Sequence, residues 1–116
     1  MLKWFFDHYV DAANRTDPRM APLRAKDLSN LPPATIVTCE FDPLRDEGVA
    51  YAEALAAAGV EVQHINARGQ IHSALTMVDL VISGAPYREQ MGAALRRFAT
   101  VGRAARSGGS VRPLTA

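Results

Sequence analysis

From Ala34 to Glu40 the chain runs ATIVTCE, β-branched and apolar without strict polar alternation. That pattern predicts a strand buried on both faces, as in a parallel sheet. From Asp46 to Ala58 the period becomes helical: Val49, Ala52, Leu55 and Ala56 form one apolar stripe. Asp46 and Glu47 put negative charge at the helix start, and Gly59 offers the left-handed residue that ends it. Val60 to Asn66 (VEVQHIN) then alternates with period two, which predicts a half-exposed strand at a sheet edge. Strand, helix and strand within about thirty residues predict a parallel, right-handed βαβ unit.

The flanks are helical or irregular. Leu2, Phe5, Phe6 and Tyr9 recur at helical spacing with Trp4 beside them, and His8 falls on the polar side. No capping residue precedes this helix, so it reads as the interior of a longer domain. Residues 11–33 carry Asp11, Asn14, Asp17, Pro18, Pro22, Ser29, Asn30, Pro32 and Pro33, which is loop chemistry. Ala74 to Ile82 fits either a helix or an irregular segment. Pro86 opens a helix from Tyr87 to about Val101, with Met91, Leu95 and Phe98 on one face. Residues 1–102 are expected to form one part of an α/β domain. Residues 103–116 (RAARSGGSVRPLTA), small and basic, read as a disordered tail.

Composition narrows the function classes. The 116 residues carry 13 Lys+Arg against 12 Asp+Glu, a net charge of +1 that points to neither nucleic acid nor an anionic membrane. Met1 to Val10 is too short for a membrane span and lacks a signal-peptide cleavage pattern. A single cysteine, Cys39, excludes an internal disulfide and fits a reducing compartment, here the cytoplasm. Cys39 itself reads as a small buried core residue. No recognisable ligand spacing joins His64, His72, Asp42 and Cys39, so no metal or other cofactor is implied. His64 is expected to face solvent from the edge strand.

The candidate chemistry lies at the strand ends. Asp42 opens Asp42-Pro43-Leu44-Arg45-Asp46-Glu47-Gly48 just past the first strand, and His72 stands thirty positions on, in Gly69-Gln70-Ile71-His72-Ser73 past the second. Functional groups in parallel α/β sheets gather at these C-terminal ends. Neighbouring strands are roughly 5 Å apart, so an acid and a histidine leaving adjacent strands come within hydrogen-bond reach. Gly69 supplies the backbone freedom for a loop that aims the imidazole.

The segment from Leu31 to Ser73, LPPATIVTCEFDPLRDEGVAYAEALAAAGVEVQHINARGQIHS, resembles the C-terminal part of the hormone-sensitive-lipase-like esterases of the α/β-hydrolase superfamily. The resemblance covers about residues 1–100. It implies an α/β-hydrolase fold with an incomplete sheet, a parallel βαβ unit with flanking helices, and carboxylesterase or lipase-like chemistry on small acyl esters. It makes Asp42 the triad acid and His72 the general base, with Asp46 and Glu47 structural. Ser73 and Ala74 follow the histidine where the family more often has glycine and an aromatic residue, a departure that bears on the acyl pocket.

Two family signatures do not occur in the sequence, the G-x-S-x-G nucleophile elbow and the HGGG oxyanion motif. Ser73 has neither an elbow nor oxyanion donors in its sequence context, so no residue here is read as the nucleophile. The expectation is a serine-hydrolase segment that is inactive alone. The alternative is a non-catalytic interaction module. It would be a relic or a split half that binds a complementary N-terminal half, or that dimerises through strand 60–66. Trp4, Phe5 and Phe6 are expected to pack on the rest of such a domain or to line its acyl pocket.

Overall fold

Pro32 and Pro33 deliver the chain extended, and strand β1 (Ala34–Phe41) begins at the next residue of the computed structural model, which describes residues 2–108. Before it lie helix α1 (Leu2–Tyr9) and two 3-10 turns at Ala12–Asn14 and Pro22–Arg24. After it come helix α2 (Arg45–Ala57), strand β2 (Val62–Ile71), a 3-10 turn at Ile82–Gly84 and helix α3 (Ala85–Gly108). β1 and β2 pair in parallel, with α2 as the crossover between them. That is the βαβ unit expected from the hydrophobic pattern.

Helix α2 starts where Asp42 turns the chain. The Asp42 carbonyl accepts the Arg45 amide at 3.0 Å, and its Oδ1 accepts the Leu44 amide at 2.8 Å. Asp46 and Glu47 occupy the first turn, against the positive end of the helix dipole. The helix ends at Gly59, whose φ of +82° lets the Val60 amide return to the Leu55 carbonyl and the Gly59 amide to that of Ala56. This is the Schellman arrangement, and it brings Val60 (7 % exposed) into the core with Leu55 (2 %). Val60 therefore belongs to the helix cap, the Glu61 carbonyl accepts the Ala34 amide, and β2 starts two residues later than the alternation suggests.

The core is small. Ala52 and Leu55 of α2, Cys39 of β1, Ile65 and Ala67 of β2, and Ala94 of α3 are buried. Gly48 lets α2 close on β1, since a Cβ there would stand 2.8 Å from Thr38 Cγ2. Three readings of the sequence need correction. β1 is buried on both faces only at Thr38 and Cys39, consecutive residues that point to opposite sides, while Ala34 to Val37 and Glu40 are half-buried and Phe41 is exposed. On α3 the inward residue is Ala94, while Leu95, one step of 100° around the helix, is 66 % exposed. α3 also continues past Val101 to Gly108, through a stretch rich in the strong helix formers Ala and Arg. The rest of the expected tail, residues 109–116, lies outside the described residues.

Candidate active site

Asp42 is the first residue after β1 and His72 the first after β2, so the parallel pairing puts both at the same end of the sheet. His72 Nδ1 and Asp42 Oδ2 are 2.8 Å apart. The other carboxylate oxygen holds the Leu44 amide, so the acid is fixed on two sides. Asp42 is 12 % exposed at its side chain and His72 59 %, giving a half-sunk acid beneath an open imidazole. With Nδ1 donating to Asp42, Nε2 is the nitrogen free to exchange a proton.

Burial alone pushes the Asp42 carboxyl up, but the Leu44 amide and then the His72 ring outweigh it and hold it below the ordinary aspartate value. A carboxyl lowered in the folded state contributes stability that is complete above its unfolded value, near pH 4, and is lost as pH falls through the folded value. The stability gap between the native chain and an Asp42→Asn variant is therefore expected to be widest near neutrality and to close below about pH 4. Urea unfolding at pH 7, 5 and 3 measures it; a gap that stays constant across that range contradicts the assignment.

The approach of His72 differs from the loop expected after a strand at Val60–Asn66. β2 runs on to Ile71, and Gly69, with φ +72°, sits in a bulge within it instead of in a loop beyond it. Past His72, Ser73 takes φ +63° and Ala74 is fully buried, with its amide on the Ile71 carbonyl. Residues 74–81 form turns and no helix, one of the two outcomes the pattern left open.

Other residues singled out lie apart from this pair. His64 is exposed as expected, yet its Nε2 is engaged by the Thr38 hydroxyl at 2.9 Å. Burial raises the Cys39 thiol, with the Asp42 charge adding to it, as suits a core residue. Asp46 pairs with Arg45 at the start of α2. His8 bonds the Trp4 carbonyl and stacks on the Trp4 ring at 4.2 Å. Trp4, Phe5, Phe6 and Tyr9 of α1 are exposed, as are Phe41 and Ile71, the residues immediately before the acid and the histidine. Glu40, Gln70 and Tyr87 were not legible as site residues, because their contacts fall on the bulge and no local pattern marks one.

A family model described as alpha/beta hydrolase fold matches residues 1–76. The chain belongs to the α/β-hydrolase fold family. Within it the relatives include carboxylesterases and an arylesterase, of the hormone-sensitive-lipase-like branch. The hydrolase segment is 42 % identical over 81 residues to ethyl acetate hydrolase of Pseudomonas putida, an alignment covering 69 % of this chain and 26 % of that protein. With esterase LipI of Mycobacterium tuberculosis it shares 47 % over 70 residues, 60 % of this chain and 21 % of the relative. A crystal structure of a variant of esterase rPPE superposes with a TM-score of 0.71 at 44 % identity, over 78 % of this chain and 30 % of the esterase. The chain thus spans about a quarter of the length of the relatives it matches. No helix among the described residues is long and apolar enough to cross a membrane.

Proposed function

We propose that Asp42 and His72 are the acid and base of a serine carboxylic-ester hydrolase, and that residues 1–102 are the C-terminal part of its domain. The observation that carries this reading is the 2.8 Å contact between His72 Nδ1 and Asp42 Oδ2 at the shared strand ends. In the complete domain a serine hydroxyl attacks the carbonyl of a small acyl ester, and His72 Nε2 takes its proton. Asp42 holds the imidazole in the Nδ1–H tautomer and stabilises the imidazolium. The same proton then goes to the departing alcohol, and a water activated by His72 releases the acid. The serine and the oxyanion donors come from elbow and HGGG segments outside this sequence. The 116-residue chain by itself therefore turns over no ester. We place it in the cytoplasm, where a buried lone thiol stays reduced.

The test is a chimaera: residues 34–76 replace the matching segment of the Pseudomonas putida ethyl acetate hydrolase. The chimaera is expected to hydrolyse p-nitrophenyl acetate, while the isolated chain is expected to show no rate above that of its own His72→Ala variant. An isolated chain whose hydrolysis disappears in His72→Ala would falsify the incomplete-triad reading.

A second reading has its own observation. Phe41, 64 % exposed, and Ile71, 56 % exposed, form a register pair beside the acid and the histidine. A split half that binds a complementary half, or a relic that dimerises through strand 60–66, would cover such residues. Sedimentation of the chain alone, then mixed with a nucleophile-bearing half of the relative, separates the two readings. Assembly that restores His72-dependent hydrolysis supports the catalytic reading, and assembly without hydrolysis supports the interaction module.

A further inference from the structure

The Asp42–His72 contact depends on a shift of register inside the sheet. From Ala34↔Val62 to Cys39↔Ala67, paired residues differ by 28 in number; at Phe41↔Ile71 they differ by 30. Asp42 and His72 have this second offset. Had the ladder continued straight, Phe41 would lie opposite Gly69, and His72 would stand two residues farther along, about 6–7 Å past the acid. Two extra residues in β2 draw His72 back, so that it stands opposite the acid.

All three residues of the bulge are held. The Tyr87 hydroxyl of α3 donates to the Arg68 carbonyl at 3.1 Å. The Gly69 amide donates to Glu40 Oε2 at 2.7 Å. Gln70, only 4 % exposed, donates through Nε2 to Ser83 Oγ at 3.2 Å. Of the three anchors Glu40 alone lies on the strand that ends in the acid, two residues before Asp42. Its own carbonyl accepts Arg45 Nη1 at 3.1 Å, which ties it to the start of α2 as well.

We propose that Glu40 is a positioning residue for the acid–base pair. Its carboxylate captures the Gly69 amide, fixes the two-residue bulge and so sets His72 Nδ1 opposite Asp42. This rests on the acid–base reading above but concerns geometry, so it is tested without turnover. Gly69 is exposed, and its amide donates to the Glu40 carboxylate. A charge-assisted bond of this length is expected to slow its exchange at least about tenfold relative to a free amide. In the ¹⁵N-labelled full chain, His72 is expected as the Nδ1–H tautomer. Glu40→Ala is expected to lose the Gly69 protection and release His72 to a tautomer mixture, with circular dichroism unchanged. Glu40→Gln, whose amide oxygen still accepts, restores both signals. Should Glu40→Ala unfold, Glu40→Asp, one methylene too short, carries the same expectation.

An unprotected Gly69 amide in the folded native chain overturns the proposal, as does an Nδ1–H tautomer that survives Glu40→Ala or Glu40→Asp. Failure of Glu40→Gln to rescue does so too. Absence of the Nδ1–H tautomer in the native chain sinks the acid–base reading along with it, whereas its persistence without the Glu40 carboxylate sinks the positioning role alone.

Discussion

His72→Ala in the chimaera lowers kcat for p-nitrophenyl acetate by about 10⁵-fold or more, and Asp42→Asn lowers it by about 10⁴-fold. KM is expected to change little in either, since neither side chain is asked to bind the ester. The two magnitudes differ for a physical reason. Alanine removes the proton acceptor altogether, whereas asparagine leaves an imidazole in place but offers an N–H where His72 Nδ1–H requires an acceptor, and so favours the wrong tautomer. The half-sunk position of Asp42 makes the second loss large: water has little access to replace the carboxylate on a side chain 12 % exposed. A double variant is expected to be no worse than His72→Ala, because the two groups act as one unit. Stopped assays at high enzyme concentration measure all three. A His72→Ala chimaera within tenfold of its parent would remove His72 from the chemistry.

What made this pair legible was local chemistry at β1 and α2. Pro32-Pro33 marks the strand start, Asp42 turns the chain, Asp46 and Glu47 mark the helix start, and Gly59 marks its end; each acts on its immediate neighbours, so each is visible in one dimension. Within the period-two run Ile65 is buried and Asn66 exposed, the phase opposite to that of Val60 and Val62. The same run misplaced both ends of β2. Val60 looks like a strand residue but is drawn down by the helix cap. Gly69 looks like a loop residue but bends a strand that continues beyond it.

A bulge is a relation between two strands, and its anchors here come from 29 residues upstream for Glu40 and 19 downstream for Tyr87. Nothing in the order of residues near Gly69 announces either. Leu95 illustrates the same limit on a helix. Met91, Leu95 and Phe98 satisfy a helical stripe, but the stripe that faces the sheet is centred on the smaller Ala94. Hydrophobicity favoured Leu95, whereas close approach of α3 to the strands favours alanine. The residues of α1 and the Phe41–Ile71 pair are exposed in a segment that spans about a quarter of its relatives' length.

Leu55→Ala is expected to cost about 3 kcal/mol of unfolding free energy, within the 2–5 kcal/mol range for emptying a well-enclosed leucine site. Leu55 is 2 % exposed and is the one large side chain so fully enclosed among the described residues. The other buried hydrophobic residues are mostly small: Ala52, Ala67, Ala74, Ala94 and Cys39, with Val60 and Ile65 the larger members. Ala52, one turn earlier on the same helix and also buried, has no rotamer with which to fill the void, so much of the cavity penalty is felt. The site also closes the helix, since the Leu55 carbonyl accepts the Val60 amide and the two side chains are buried together. Against a core this thin, a loss of that size is a large share of the whole stability. Leu95→Ala is the control. At 66 % exposure it is expected to change stability by under about 0.5 kcal/mol. Urea midpoints at equal slope measure both. Equal losses at the two positions would mean that α2 is not seated on the sheet through Leu55. The strand order that brings Asp42 to His72 would then need another source of stability than this core.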